Sequence, residues 1–234
     1  MAKRPRVGPS ATAATATPAR RRQPAPTGRR RPSARVVVAL LAVIGAVGFV
    51  GLVVLRTATA QAFSCREVLQ PPAEDPGPEG VVTQNQGSRH VAPGTEIRYA
   101  SCPPTSGSHY NARGAGPLAP GFYGPDDDAS PGGWVHNLEH GYVVALYRCE
   151  GGGCPSESDL RALRSFAANG PPTQSAAACG YRSKVIVARF DQMATPFAAL
   201  AWDRVLLLDS LDPRRVAAFA QRMIEATAPE PNAC

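Results

Sequence analysis

Several signatures of familiar chemistry are missing from the 234 residues of this chain. No C-x-x-C pair occurs, which argues against a thioredoxin-type redox centre. No serine-nucleophile motif, phosphate-binding loop or dinucleotide fingerprint is visible, so the chemistries that depend on them have no support. There is no internal repeat and no sign of a second domain. Histidine is scarce, at four residues, and no acidic residue precedes Glu67. Both shortages are informative because of where they leave the remaining groups.

The missing acids segregate the charge. The formal net charge is +7, and residues 1–35 hold ten Lys and Arg with no acid. Beyond them, the fifteen remaining bases fall three short of the eighteen acids. The rest of the chain is mildly acidic, so no nucleic-acid partner is expected. Residues 1–35, rich in Pro, Ala, Thr, Ser and Arg without an apolar period, are expected to be a disordered cytoplasmic tail. Val36 to Leu55 then offers twenty residues without a charge. As a helix this run is about 30 Å long, the thickness of the hydrocarbon core. With the bases ahead of it and only Arg56 just after it, the positive-inside rule predicts a single-pass cell-membrane anchor with the C-terminal domain extracytoplasmic. The tail also suits anionic lipid heads, making the membrane itself a partner. Cleavage after Ala62, at Ala60-Gln61-Ala62, is the rival reading. A signal-peptide core is shorter, about 7–15 residues, and either reading exports the C-terminal domain.

All six cysteines, Cys65, Cys102, Cys149, Cys154, Cys179 and Cys234, lie beyond the apolar run, where an even number implies disulfides. Spacing suggests Cys149 with Cys154 across CEGGGC, although Cys154 with Cys179 is equally open. Residues 56–80, with PPAEDPGPEG, are expected to form a stalk, and residues 81–234 the globular domain. Strands are predicted at Val81–Gln84, Glu96–Ala100, Tyr142–Cys149, Val185–Phe190, Phe197–Trp202 and Val205–Asp209. One helix follows Ser156, with Asp159 at the capping-box position and a stripe of Leu160, Leu163, Phe166 and Ala167. A last one follows Asp212-Pro213, with Val216, Phe219, Ala220, Met223 and Ile224 on one face. Between the early and later strands, residues 101–133 carry six prolines and seven glycines, and their aromatics Tyr110, Phe122 and Tyr123 imply a packed loop. The fold class is α+β: a mixed or antiparallel sheet with two packed helices and a long Pro/Gly-rich loop, preceded by one transmembrane helix.

The four histidines, His90, His109, His136 and His140, fall within fifty-one residues. His136-Asn137-Leu138-Glu139-His140 fits H-x-x-E-H, the inverted zinc-protease motif, which requires a helix. Pro131-Gly132-Gly133 before it and Gly141 after it argue against a helix, and a loop-to-strand junction is expected instead. Imidazoles on loops suit copper or zinc. His109, His136 and His140 are the preferred ligands, with His90 fourth, Glu139 a ligand or the acceptor that fixes a tautomer, and Met193 a soft ligand for copper or a gap-filler. Three alternatives stand beside each other: a copper- or zinc-binding domain, a metal-dependent hydrolase using Glu139, and a non-catalytic module docking an envelope protein partner. In the last, the histidines with Asn137, Thr105 and Ser106 are a structural hydrogen-bond cluster. No residue is assigned a catalytic role.

PPTSGSHY, Pro103 to Tyr110, followed by HNLEHGYVVALY resembles the bacterial family known as domain of unknown function 3105. The resemblance covers roughly Cys65 to Trp202 and includes Gly87, His90, Val91, Gly121, Tyr123 and Trp202. Ser108 stands where the family pattern usually has proline. The resemblance implies a basic tail, one membrane helix and one exported domain. It brings no established activity, but places all four histidines on motif positions.

Overall fold

The structure, a computed structural model, describes residues 33–35, 37–46, 48, 63–149 and 153–234. The chain divides into two compact units, one ending at Phe49 and the other running from Val50 to Cys234. In the first, the described residues between 34 and 48 are helical, with Val38, Leu41 and Ile44 exposed. Among the described residues no helix is long and apolar enough to cross a membrane. Much of the expected span, 36, 47 and 49–55, lies outside those residues, as do the tail 1–32 and the cleavage position at 62.

The second unit is built on a six-stranded mixed sheet. Its strands, in spatial order, are β2 (Val81–Val82), β10 (Arg204–Leu208), β9 (Phe197–Ala201), β7 (Val143–Tyr147), β8 (Val185–Arg189) and β6 (Gly121–Phe122). β7 is central and buried throughout, pairing parallel with β8 and antiparallel with β9. Its parallel link to β8 runs through α2 (Glu157–Asn169) and α3 (Gln174–Ala178), as a parallel pair requires a crossover. Alternate side chains on each strand enter different cores. Val143, Ala145 and Tyr147 face α2 and α4 (Pro213–Met223) through Leu163, Val216 and Phe219. Val144 and Leu146 face the other way, toward Trp134, Val135 and Leu138 of α1 (Pro131–Glu139). Both expected helices start at the expected caps: Ser156 Oγ accepts from Asp159 N, and an Asp212 carboxylate oxygen accepts from Arg214 N and Arg215 N.

The domain has α1 and α3 beyond the two expected helices and short strands within the expected loop 101–133, and two further differences bear on the site. The stretch expected to be a stalk contains β1 (Phe63–Val68), which pairs parallel with β4 (Ile97–Cys102) and is tied to it by Cys65–Cys102. Its Phe63 packs on the core, which the Pro-rich sequence after it concealed. The larger correction is α1, a nine-residue helix where a loop-to-strand junction was expected. Pro131 occupies the first turn, where its missing N–H costs nothing. A Cβ on Gly132 would meet the Tyr110 ring, so this glycine lets two elements touch. Two glycines in a helix cost about 1 kcal/mol each. Trp134, Val135 and Leu138 are each 0 % exposed, and burying such side chains contributes about 1.5–3 kcal/mol apiece, which outweighs that cost. Gly141, at φ 83°, does not prevent the helix; it closes it. Tyr142 N donates to Asn137 O at 2.9 Å and Gly141 N to Leu138 O at 3.0 Å, the bond pair of a Schellman turn.

The other two disulfides are Cys149–Cys154, the pairing that spacing suggested, and Cys179–Cys234. No cysteine is free.

Candidate metal centre

Three short elements carry the histidines. α1 presents His136 and Glu139, one turn apart on the same face, with His140 directly after it. His109 begins β5 (His109–Tyr110), which pairs parallel with β3 (His90–Val91) so that His90 stands opposite His109. That register is held by Gly107 N donating to Gly87 O at 2.7 Å and His109 N to Arg89 O at 3.0 Å. Helix and ribbon meet where α1 packs on β5.

In His109 and His136 one ring nitrogen is committed to the main chain. His109 Nδ1 lies 2.8 Å from Gly107 O, and His136 Nδ1 lies 2.7 Å from Tyr110 O. A carbonyl only accepts, so both Nδ1 atoms carry the proton and both Nε2 atoms present lone pairs. This arrangement fixes tautomer and ring orientation in metal-ligating histidines. His109 Nε2 is 2.9 Å from Glu139 Oε2, with the two side chains 0 % and 4 % exposed. Neither atom has a hydrogen-bond partner. Two acceptors face each other in a dry site, a costly arrangement unless a cation stands between them. His90 Nε2 is 3.4 Å from the same carboxylate oxygen, and its ring is 47 % exposed. One donor atom from each of His90, His109, His136 and Glu139 lies within 4.8 Å of the others. Donors in a tetrahedral site with 2.1 Å bonds are about 3.4 Å apart. The His90 contact matches this, the His109 contact is shorter, and with a spread of up to 4.8 Å the donors must shift slightly to share an ion.

The electrostatics favour the neutral form of His109, His136 and His140. Burial pushes His109 and His136 below the usual imidazole range, against the raising effect of their carbonyl bonds and Glu139. His140 is pushed down to about 4, first by burial and then by neighbouring His136. A neutral imidazole is the form that ligates.

The sequence-derived set is thus brought together in part. His90, His109, His136 and Glu139 converge. His140 stands behind them, its Nε2 3.1 Å from His136 Nε2 and 3.7 Å from Glu230 Oε2. The tautomer that suits His136 has His140 Nε2–H donating to it. Met193 is 3 % exposed and lies in the apolar cluster, its carbonyl accepting from Arg148. Asn137, Thr105 and Ser106, expected to cluster with the histidines, are instead bonded to other parts of the chain. Asn137 brackets Leu118, accepting from its N and donating to its O, both at 2.8 Å. Ser106 Oγ accepts from Gln86 N, and the Thr105 and Thr83 hydroxyls are bonded. These side chains fix the loop, while His109 Nε2 is left without a hydrogen-bond partner and His136 Nε2 is met by His140.

Sequence reasoning missed Asn111, whose amide nitrogen is 3.3 Å from His90 Nδ1, and Lys184, whose Nζ donates to His140 O at 2.8 Å. Asn111 adjoins the SHY motif, which was a usable signal. Lys184 sits just before an apolar strand and reads as a solvated end, although it is 0 % exposed.

Comparison with known proteins agrees with the motif resemblance. Residues 90–234 match the family described as "Protein of unknown function (DUF3105)", and the chain belongs to it. A search of curated proteins and a search of solved structures each return no match.

Proposed function

We propose that this DUF3105 member binds a divalent transition ion, zinc or copper, through His90, His109, His136 and Glu139. The observation that carries the reading is the buried pair His109 Nε2 and Glu139 Oε2, two acceptors 2.9 Å apart without hydrogen-bond partners. Three imidazoles and a carboxylate, with no sulfur among them, favour Zn(II) or Cu(II) over Cu(I). Elemental analysis of the purified chain after reconstitution tests this, with one equivalent retained as the expected result. His109→Ala should lower zinc affinity about tenfold or more, and no retained metal in the parent chain would end the idea.

A second reading, a metal-dependent hydrolase, gains from α1, because H-x-x-E-H needs the helix that the chain forms. It requires turnover that is lost in Glu139→Gln while the metal stays bound. Loss of metal together with turnover makes Glu139 a ligand.

The site is proposed to work outside the cytoplasm on a membrane-anchored chain, where an envelope protein can be its partner. The basic leader, the apolar run after it and the pairing of all six cysteines support this placement.

A further inference from the structure

The Schellman turn satisfies Asn137 and Leu138 and leaves the carbonyls of Glu139, His140 and Gly141 to find other donors. Each finds one from distant sequence. Glu230 N donates to Glu139 O at 3.1 Å, Lys184 Nζ to His140 O at 2.8 Å, and Glu225 N to Gly141 O at 2.9 Å. The same Lys184 ammonium donates to Pro231 O at 2.7 Å and to Ala233 O at 3.1 Å. Its three protons are thus assigned to three carbonyls, one on the ligand helix and two on the terminal peptide. The Glu225 carboxylate lies 3.4 Å from Nζ and balances the buried charge. Cys179, at the end of α3, is bonded to Cys234 and fastens the last residue of the chain.

We propose that residues 225–234, locked by Lys184 and by the Cys179–Cys234 disulfide, are the positioning element of the metal centre. The inference rests on the metal reading above. Glu139 is the last residue of a nine-residue helix, the end that frays first. Its carboxylate must stay opposite His109 Nε2, and the terminal peptide holds the main chain on either side of it. Lys184 touches no ligand atom and acts through the His140 carbonyl. The metal centre is therefore complete only when Cys179 and Cys234 are joined, although neither cysteine is a ligand.

The test uses the full chain, with Lys184→Met and, separately, the double variant Cys179→Ser/Cys234→Ser. The double variant Cys149→Ser/Cys154→Ser is the control. Amide hydrogen exchange at His140, Gly141 and Tyr142 is read without metal. Zinc affinity is read by chelator competition, and coordination geometry by the visible spectrum of the cobalt(II)-loaded chain. The expected result in both test variants is faster exchange, zinc affinity lower by about tenfold or more and an altered cobalt spectrum, with far-UV circular dichroism retained and the control unchanged. If Lys184→Met does not fold, the cysteine pair decides. Unchanged exchange, or faster exchange with affinity and spectrum intact, overturns the proposal. A parent chain that takes up no metal overturns the metal reading itself, and this is seen before any variant is compared.

Discussion

His109 and His136 donate Nδ1–H to carbonyls of Gly107 and Tyr110, and those two bonds determine what the other side of each ring can do. The lone pair left on His109 Nε2 faces Glu139 and that on His136 Nε2 faces His140, in a site where burial disfavours the charged imidazole. This has a measurable consequence for the metal-free chain. The folded protein holds His140 neutral down to about 4 rather than 6.5, and His109 and His136 are displaced in the same direction. In this window the unfolded chain binds more protons than the folded one, so stability rises with pH there. The contribution is complete above about pH 6.5 and is lost as the pH falls toward 4. Thermal melts without metal should therefore show a melting temperature that drops between pH 7 and pH 4.5, with a shallower drop in His140→Gln. A flat profile would mean that the imidazoles are not held neutral by the fold.

Among the elements, α1 shows why the chain was only partly legible. α2 and α4 were readable because each carries a local cap and an apolar stripe on one face. All nine residues of α1 are buried, so it has no stripe, and its Pro-Gly-Gly start imitates a break. The histidine cluster was visible as composition, but the pairing of His90 with His109 depends on a two-residue ribbon, and the carbonyl partners carry no side-chain signal. Lys184 and the terminal peptide were hidden for a similar reason, since their contacts with α1 span more than forty residues. The glycines have defined roles that substitution can test. Gly132→Ala places a methyl group into the Tyr110 ring, and overpacking of this kind costs about 1–3 kcal/mol. Gly141→Ala forces a left-handed backbone, about 1–2 kcal/mol, and brings its Cβ to 2.9 Å from Glu225 Cα. Denaturant midpoints should fall for both variants, and a midpoint equal to the parent's for Gly132→Ala would contradict the packing of α1 on β5.

Across the whole molecule, the basic leader and the acid-balanced remainder divide the labour. Under the proposed placement, a +7 chain with its excess in residues 1–35 is an oriented anchor bearing a mildly acidic domain. Alkaline carbonate should leave the full chain in the membrane pellet, and protease added outside spheroplasts should cut residues beyond the apolar run. Extraction into the supernatant would favour cleavage after Ala62. The sheet, its two cores and three disulfides then serve to hold one small polar site at the meeting of α1 and the β3–β5 ribbon. X-ray absorption at the metal edge of the zinc- or copper-loaded chain tests that site most directly. The expected spectrum is a nitrogen/oxygen shell, for zinc at about 2.0–2.1 Å, with the outer-shell scattering of three imidazoles and no sulfur. A chain that retains no stoichiometric metal, or a first shell containing sulfur, would contradict the assignment of His90, His109, His136 and Glu139.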